Sequence, residues 1–201
     1  MLVQPINNYQ NNYYNNSFKA QIIKTEYLLK GLEHAKHKSL DVQADVINML
    51  EHIKHDRNIN IFRIFRNFNG NKGKNDISVI QADDKQYTNQ HDELGFVSFA
   101  KDKDGKWILT KGGLCIAAIK DFMKKNYGEA TVNRLIHRGE KQYGFDKMKQ
   151  LDSQIKYAKN TQDAQKYKQK LELMEQNVQK ELTERYNRFE ASLTDLNKVM
   201  N

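Results

Sequence analysis

Residues 59–68 have the sequence INIFRIFRNF, in which β-branched and aromatic residues occupy both alternating sets of positions. This composition favours a β-strand over a helix. The Asn-rich stretch around Gly70 and Gly73 then predicts a turn, and residues 77–82 predict the returning strand. The stretch at 59–68 therefore decides the fold class, because it places a sheet in the middle of the chain.

Further strands are predicted on either side of this pair. Asp104-Gly105 separates the apolar residues at 96–99 from those at 107–109, which is a hairpin pattern. The apolar segment 18–24 predicts one more strand near the N-terminus. The connections between 59 and 110 are too short for parallel crossovers, so they favour antiparallel pairing. We therefore expect a small antiparallel sheet of about four or five strands.

Helices are predicted before and after the sheet, which indicates an α+β fold. Thr25 and Ser39 stand where helix N-caps belong, each before an apolar stripe with steps of three and four residues. After the sheet, residues 114–126 carry a similar stripe that stops at Gly128. Another short helix is predicted at 131–137.

The C-terminal segment beyond Gly144 contains no glycine or proline, and its apolar residues recur at helical steps. This predicts one long helix or a helical hairpin that breaks at Asn160-Thr161. Its eleven basic and nine acidic residues are mixed along its length, which is typical of a solvated helical face. We divide the chain into a disordered Asn/Tyr-rich tail at 1–17, an α+β globular domain at 18–140, and this hairpin or arm at 145–201.

The overall composition places limits on the class of protein. The 201 residues carry a formal net charge of +8, a modest basic excess that makes anionic partners worth testing. The start of the chain lacks a signal-peptide pattern, and no apolar run has the length of a membrane span, so we expect a cytoplasmic protein with no membrane contact. No cofactor is expected. The single cysteine, Cys115, excludes an intrachain disulfide; we interpret it as a buried core thiol rather than a nucleophile paired with His137.

A local repeat provides candidate metal ligands. LEHAKH at 32–37 recurs as LEHIKH at 50–55, so two helix ends each carry histidines three residues apart. Histidines at this spacing share a helical face and could bind a divalent metal. The alternative is that they favour the negative end of the helix dipole, and we prefer it. The candidate ligands are His34, His37, His52 and His55.

A basic and aromatic segment at 62–74 provides a candidate nucleic-acid surface, since it interleaves rings with cations as stacking platforms do. Residues 95–99 resemble the second half of the RNA-recognition-motif signature, but Asp92 and Glu93 depart from its first half. The preferred alternative is that the aromatic residues form the buried face of the sheet. The candidate residues are Arg63, Arg66, Lys72, Lys74, Phe62 and Phe65.

These patterns favour a non-enzymatic interaction or adaptor protein that binds a protein partner, or a second copy of itself, through 145–201. A nucleic-acid-binding module that uses 62–74 is the alternative. An enzyme stays open as a third interpretation, which would require a pocket that collects His91, His137 and acidic groups. If the arm were an independent unit, its deletion would abolish partner binding and leave the domain at 18–140 folded.

Overall fold

The computed structural model describes residues 20–68, 76–84, 96–98 and 111–195. The predicted tail at 1–17 and the predicted strand at 107–109 lie outside these residues. The described elements are, in order, β1 (Gln21–Ile22), α1 (Glu26–Lys36), α2 (Leu40–Lys54), β2 (Ile59–Phe68), β3 (Asp76–Asp84), β4 (Phe96–Ser98), α3 (Lys111–Tyr127), α4 (Glu129–Tyr143), α5 (Phe145–Lys156) and α6 (Thr161–Ala191).

The predicted fold class is wrong, because the protein is mostly helical and its sheet is not antiparallel throughout. The strand order is β1-β2-β3-β4, and β1 runs parallel to β2. The later neighbours, β2 with β3 and β3 with β4, are antiparallel. Parallel pairing is possible because α1 and α2 together form the long crossover between β1 and β2. The prediction considered only the short connections after residue 59 and overlooked this crossover.

One face of the sheet packs on helices. Phe62 and Ile64 of β2 and Ile80 and Ala82 of β3 are buried, and the register places Phe62 opposite Ala82 and Ile64 opposite Ile80. α1 contacts β2, whereas α3 contacts β3 and β4. The Phe62 ring meets the Phe122 ring of α3 edge to face, with centroids 5.2 Å apart. The sheet is therefore one thin layer over a larger helical body.

Several predicted helix ends are confirmed. The Thr25 hydroxyl accepts a hydrogen bond from the Leu28 amide at 3.1 Å and caps α1. Ser39 precedes α2, but its side chain makes no capping hydrogen bond. Gly128 separates α3 from α4 with a φ of 80°, a conformation that favours glycine. The short helix predicted at 131–137 corresponds to α4, which is longer than predicted.

The C-terminal segment forms two helices that pack against each other, α5 and α6. The predicted break at Asn160-Thr161 is confirmed, but Asn160 caps the start of α6, where its side-chain oxygen accepts from the Asp163 amide at 2.8 Å. After α6 the chain returns to the sheet. Ile23 and Thr194 form a parallel bridge, in which the Lys24 amide donates to the Thr194 carbonyl at 2.8 Å.

The hydrophobic core extends across the predicted boundary between body and arm. Val178, Leu182, Tyr186 and Phe189 of α6 belong to the same buried cluster as the residues of α1, α2 and the sheet. α6 contacts α2 directly along this stretch. The division at 18–140 and 145–201 stays a prediction, but the second half of α6 contributes to the same core as the body.

Candidate functional site

α6 presents three different faces between residues 175 and 189. Its core face consists of the four buried residues Val178, Leu182, Tyr186 and Phe189. On one side of this face, α6 lines a groove through residues such as Gln179 and Thr183. On the other side, Glu181, Arg185 and Arg188 line a separate pocket. A helix has 3.6 residues per turn, so these positions lie on different sides of α6. The groove and the pocket therefore both depend on the position and rotation of α6.

A buried arginine holds α6 in position. Arg185 is only 9% exposed. Its guanidinium donates to Asn48 Oδ1 at 2.8 Å, to both carboxylate oxygens of Glu51, and to the Tyr143 hydroxyl. Asn48 and Glu51 belong to α2 and Tyr143 to α4, so one side chain joins three helices. Its planar shape, with five donors, suits this bidentate pairing.

The charges in this cluster stabilise one another. Burial alone would lower the pKa of Arg185, but the hydrogen bonds and charge supplied by Glu51, together with Tyr143, outweigh it and raise the pKa. Burial raises the pKa of Tyr143, and the bond from Arg185 opposes that rise. Arg185 is therefore charged and Tyr143 neutral across the physiological pH range.

A second polar contact fixes the rotation of α6. The Tyr186 hydroxyl donates to the backbone carbonyl of Gln43 at 2.9 Å, and Tyr186 is fully buried. The Gln43 side chain donates to the Lys38 carbonyl at 2.8 Å and lies 3.3 Å from the Gln179 amide. Tyr186 and Gln179 of α6 both contact Gln43 of α2. Rotation of α6 about its axis would therefore break these hydrogen bonds.

The first cavity is an open groove of about 890 Å³ between the start of α2, the start of α5 and the middle of α6. We call it the interhelical groove. Its apolar floor contains Leu40, Phe145 and Met148, of which the last two also pack into the core. Its rim carries both signs of charge, from Asp41, Lys149, Glu175, Lys180 and Glu184. An apolar floor with a polar rim is the usual arrangement of a protein interface.

The second cavity is a more enclosed pocket of about 700 Å³ between α2, α4 and α6. We call it the polar pocket, because Leu135 is its only apolar lining residue among those the structure describes. The cations on its walls outnumber the carboxylates, and it shares no lining residue with the interhelical groove. Its lining residues are Asn48, Glu51, His52, His55, Leu135, Arg138, Gln142, Glu181, Arg185 and Arg188.

One wall of the polar pocket is packed against the end of α3. The His52 ring meets the Tyr127 ring edge to face at 4.9 Å, and the Tyr127 hydroxyl donates to an Asp56 carboxylate oxygen. Burial lowers the pKa of His52, so this imidazole is neutral at pH 7. Burial also raises the pKa of Tyr127, helped by the bond to Asp56. The contact between the two rings therefore forms the part of the wall that lies next to α3.

The outer half of the C-terminal hairpin has a different character. In α6 the buried residues begin at Val178, and in α5 they end at Leu151. Tyr157, between the two helices, is 84% exposed, and Leu173 is 58% exposed. This half therefore projects beyond the core, as the arm interpretation expects, while the inner half belongs to the body.

The predicted nucleic-acid residues do not lie on one surface. Phe62 is fully buried against Phe122, which agrees with the alternative that it belongs to the buried face of the sheet. Arg63 and Phe65 lie on the other face of β2, where the guanidinium carbon is 5.6 Å from the ring centre. The Arg66 side chain and the residues Lys72 and Lys74 lie outside the described part, as do residues 91–95, on which the RNA-recognition-motif resemblance partly rests.

The four candidate metal ligands are not gathered into one site. Among the described residues, no group of three or more His, Cys, Asp and Glu side chains is arranged to hold a metal ion. His37 lies 3.1 Å from Glu33 on α1, and His52 and His55 line the polar pocket at the end of α2. The candidate metal site therefore stays a prediction, and the two repeats end on different helices, α1 and α2.

The interpretation of Cys115 as a core thiol is confirmed. Its side chain has no solvent exposure, and burial raises its pKa to about 12. A thiolate nucleophile requires the opposite shift. His137 is exposed, lies 3.3 Å from Glu140, and lines neither the groove nor the pocket. His91, the other histidine of the enzyme hypothesis, lies outside the described residues.

Comparisons of the chain with protein-family models, with curated proteins and with solved structures find no match. Within the described residues, no helix is long and apolar enough to cross a membrane. The case for a function therefore depends on the groove and the pocket.

Sequence reasoning missed the Arg185 cluster, although a signal was present. Arg185 follows Leu182 by three positions and precedes Phe189 by four, so helical projection places a charged residue on the apolar stripe. Asn48, between Ile47 and Met49 on α2, is a second polar residue among buried ones. A charge at such a position requires a buried partner. No comparable signal marks Arg138 or Arg188 as neighbours in a pocket.

Proposed function

We propose that the protein is a non-enzymatic interaction protein that binds an amphipathic helical segment of a partner protein in the interhelical groove. The main support is the apolar floor formed by Leu40, Phe145 and Met148 between three helices. This floor is open to solvent and bordered by charged residues. Amphipathic helices bind grooves of this kind through apolar residues spaced three and four positions apart. The rim carries both signs of charge, so the segment that fits best has mixed charges flanking its apolar stripe.

The position of the groove supports this function. Its walls come from α2 and α6, whose mutual orientation is fixed by Arg185 and Tyr186. A preformed groove costs less conformational entropy on binding than a flexible segment that must first become ordered. In this proposal the C-terminal segment contributes to partner binding through its inner half and together with α2.

A site-specific crosslinking experiment tests this proposal. A photoreactive amino acid replaces Gln176, which lines the groove, and in a matched variant it replaces Gln165, an exposed residue of the same helix that does not. We expect a partner adduct only at position 176. The Leu40→Lys substitution places a charge on the apolar floor, so it should weaken the affinity for the captured partner about tenfold or more.

The control for Leu40→Lys is Leu173→Lys, which adds the same charge at an exposed leucine outside the groove. This control should leave the adduct unchanged. An adduct lost only in Leu173→Lys would contradict the proposal and assign binding to the outer half of the hairpin. If the purified protein alone forms the adduct, the partner is a second copy of this chain rather than a different protein.

The nucleic-acid function is the second candidate, and one observation favours it. Arg63 and Phe65 lie together on the outward face of β2, both partly exposed. A ring beside a guanidinium is a common platform for an unpaired base. If this surface binds RNA or DNA, fluorescence anisotropy of labelled oligonucleotides should show binding that weakens steeply between about 50 and 200 mM salt. Phe65→Ala should reduce that binding. If the unmodified protein binds no oligonucleotide at the lower salt concentration, the nucleic-acid function is excluded.

A further inference from the structure

The polar pocket collects cationic side chains from separate helices. Arg138 comes from α4, whereas Arg185 and Arg188 come from α6. The carboxylates on its walls are Glu51 and Glu181. The three arginines exceed these two carboxylates in formal charge. Arg138 is distant in sequence from Arg185 and Arg188, so its convergence with them is a property of the fold.

The partners of these groups inside the protein determine which cations are available to a ligand. Glu51 is paired with Arg185, whose other donors go to Asn48 and Tyr143. Glu181 accepts a hydrogen bond from the Gln142 amide at 2.9 Å. The deep part of the pocket is therefore internally satisfied, and Arg185 serves to hold its shape.

The two outer arginines are bound much less tightly. Within the described residues, Arg138 has no hydrogen bond or ion pair and is exposed. Arg188 meets Glu184 at 3.9 Å, with the two side chains 68% and 54% exposed. A pair this long and this exposed contributes little and is easily replaced by a ligand. Both guanidinium groups therefore have donors free for an anion at the mouth of the pocket.

We propose that the polar pocket binds a small phosphate-bearing molecule, with Arg138 and Arg188 as the phosphate-binding residues. Arginine binds phosphate oxygens through two parallel hydrogen bonds, which favours it over lysine for this purpose. The volume of about 700 Å³ lies within the usual range of small-molecule sites. The walls are polar, so they suit a hydrophilic ligand, and His55 offers a polar contact beyond the phosphate.

Isothermal titration calorimetry with inorganic pyrophosphate tests this assignment on the full chain. We expect saturable binding that Arg138→Ala and Arg188→Ala each weaken about tenfold, since charge-assisted hydrogen bonds are lost. Lys141→Ala removes the same charge from an exposed position of α4 that does not line the pocket, and it should bind like the unmodified protein. Glu181→Gln removes a carboxylate from the wall and should tighten binding.

The absence of pyrophosphate binding would overturn the proposal, and so would equal losses in Arg138→Ala and Lys141→Ala, which would show only a general charge effect. Binding of single-stranded RNA through the same arginines, with no competition from pyrophosphate, would also overturn it in favour of a nucleic-acid surface. Leu40→Lys, the groove variant, should leave pyrophosphate binding unchanged. The phosphate site and the partner groove are therefore tested separately.

Discussion

Arg185 and Glu51 form an ion pair across 134 positions of sequence, and this pair joins the last helix to the second. The arginine side chain is 10% exposed and the glutamate side chain 36% exposed. The pair lies between the core face of α6 and the polar pocket, so it stabilises the fold and also shapes the pocket. Its loss should therefore be detectable both as a change in stability and as a change in binding.

We predict that Arg185→Met lowers the free energy of unfolding by about 2–3 kcal/mol, because it leaves Glu51, Asn48 and Tyr143 without their shared donor. Glu51 is partly exposed, so water compensates for part of the loss. Urea denaturation provides the measurement. Arg188→Met, one turn later, removes only an exposed pair at 3.9 Å and should cost less than about 1 kcal/mol. Equal losses in the two variants would show that the buried pair has no special role.

A chain that ends at residue 177 should fail to fold. This truncation removes four buried residues of the shared core, Val178, Leu182, Tyr186 and Phe189. Burial of each large apolar side chain contributes about 1.5–3 kcal/mol, and small domains have about 5–15 kcal/mol of net stability. We expect the truncated chain to show no cooperative thermal transition by circular dichroism.

The matched control for this truncation is Leu173→Gln, which changes an exposed leucine of the same helix. It should alter stability by no more than about 0.5 kcal/mol. A cooperative transition in the truncated chain would show that the body does not require the second half of α6 to fold.

Asp45 should make the stability depend on pH. This carboxyl on α2 lies 4.0 Å from Lys120. Burial raises its pKa from 3.8 to about 6, and Lys120 offsets only part of the rise. Because the pKa is higher in the folded state, the unfolded state ionises first as the pH rises. Stability should therefore fall between about pH 4 and pH 6 and then stay level.

The Asp45→Asn substitution isolates this effect. The variant should gain about 1–2 kcal/mol relative to the unmodified protein as the pH rises from 4 to 7, after allowance for the partial exposure of the carboxyl. Urea denaturation at several pH values gives the difference. Asp152→Asn, at an exposed carboxylate of α5, should show no such trend. A constant difference between Asp45→Asn and the unmodified protein would refute the expected ionisation.

Phe62 and Phe65 should lose very different amounts of stability on substitution by alanine. Phe62 is fully buried against Phe122, so Phe62→Ala should create a cavity and cost about 3–5 kcal/mol. Phe65 lies on the other face of β2 beside Arg63, and Phe65→Ala should cost about 1 kcal/mol. Thermal unfolding distinguishes the two. A small effect of Phe62→Ala would contradict the assignment of this face to the core.

The helices were the most predictable part of the fold. Thr25 marks the start of α1 with a side chain that caps it, and Gly128 marks the end of α3 with a conformation that favours glycine. The sheet was less predictable. The pairing of β1 with β2 depends on a crossover through two helices, and the period of side chains along a strand carries no information about which distant strand lies beside it.

The candidate sites could not be predicted from the sequence. Leu40 and Met148 are ordinary apolar positions of two amphipathic helices until α6 brings them to one groove. Arg138 and Arg188 are ordinary surface cations of α4 and α6 until they meet at one pocket. The predicted aromatic site relied on neighbours in sequence, but Phe62 and Phe65 lie on opposite faces of β2.

The sequence by itself determined the helices with several of their ends, the strand character of residues 59–68, and the burial of Cys115. These features depend on local propensity, capping and hydrophobic periodicity, which act over a few residues. Only the tertiary structure decided that the C-terminal helix joins the core, that Arg185 meets Glu51, and that a groove and a pocket form on either side of this contact. Those outcomes depend on packing between residues more than 100 positions apart. The local sequence pattern does not indicate which of these distant residues are in contact.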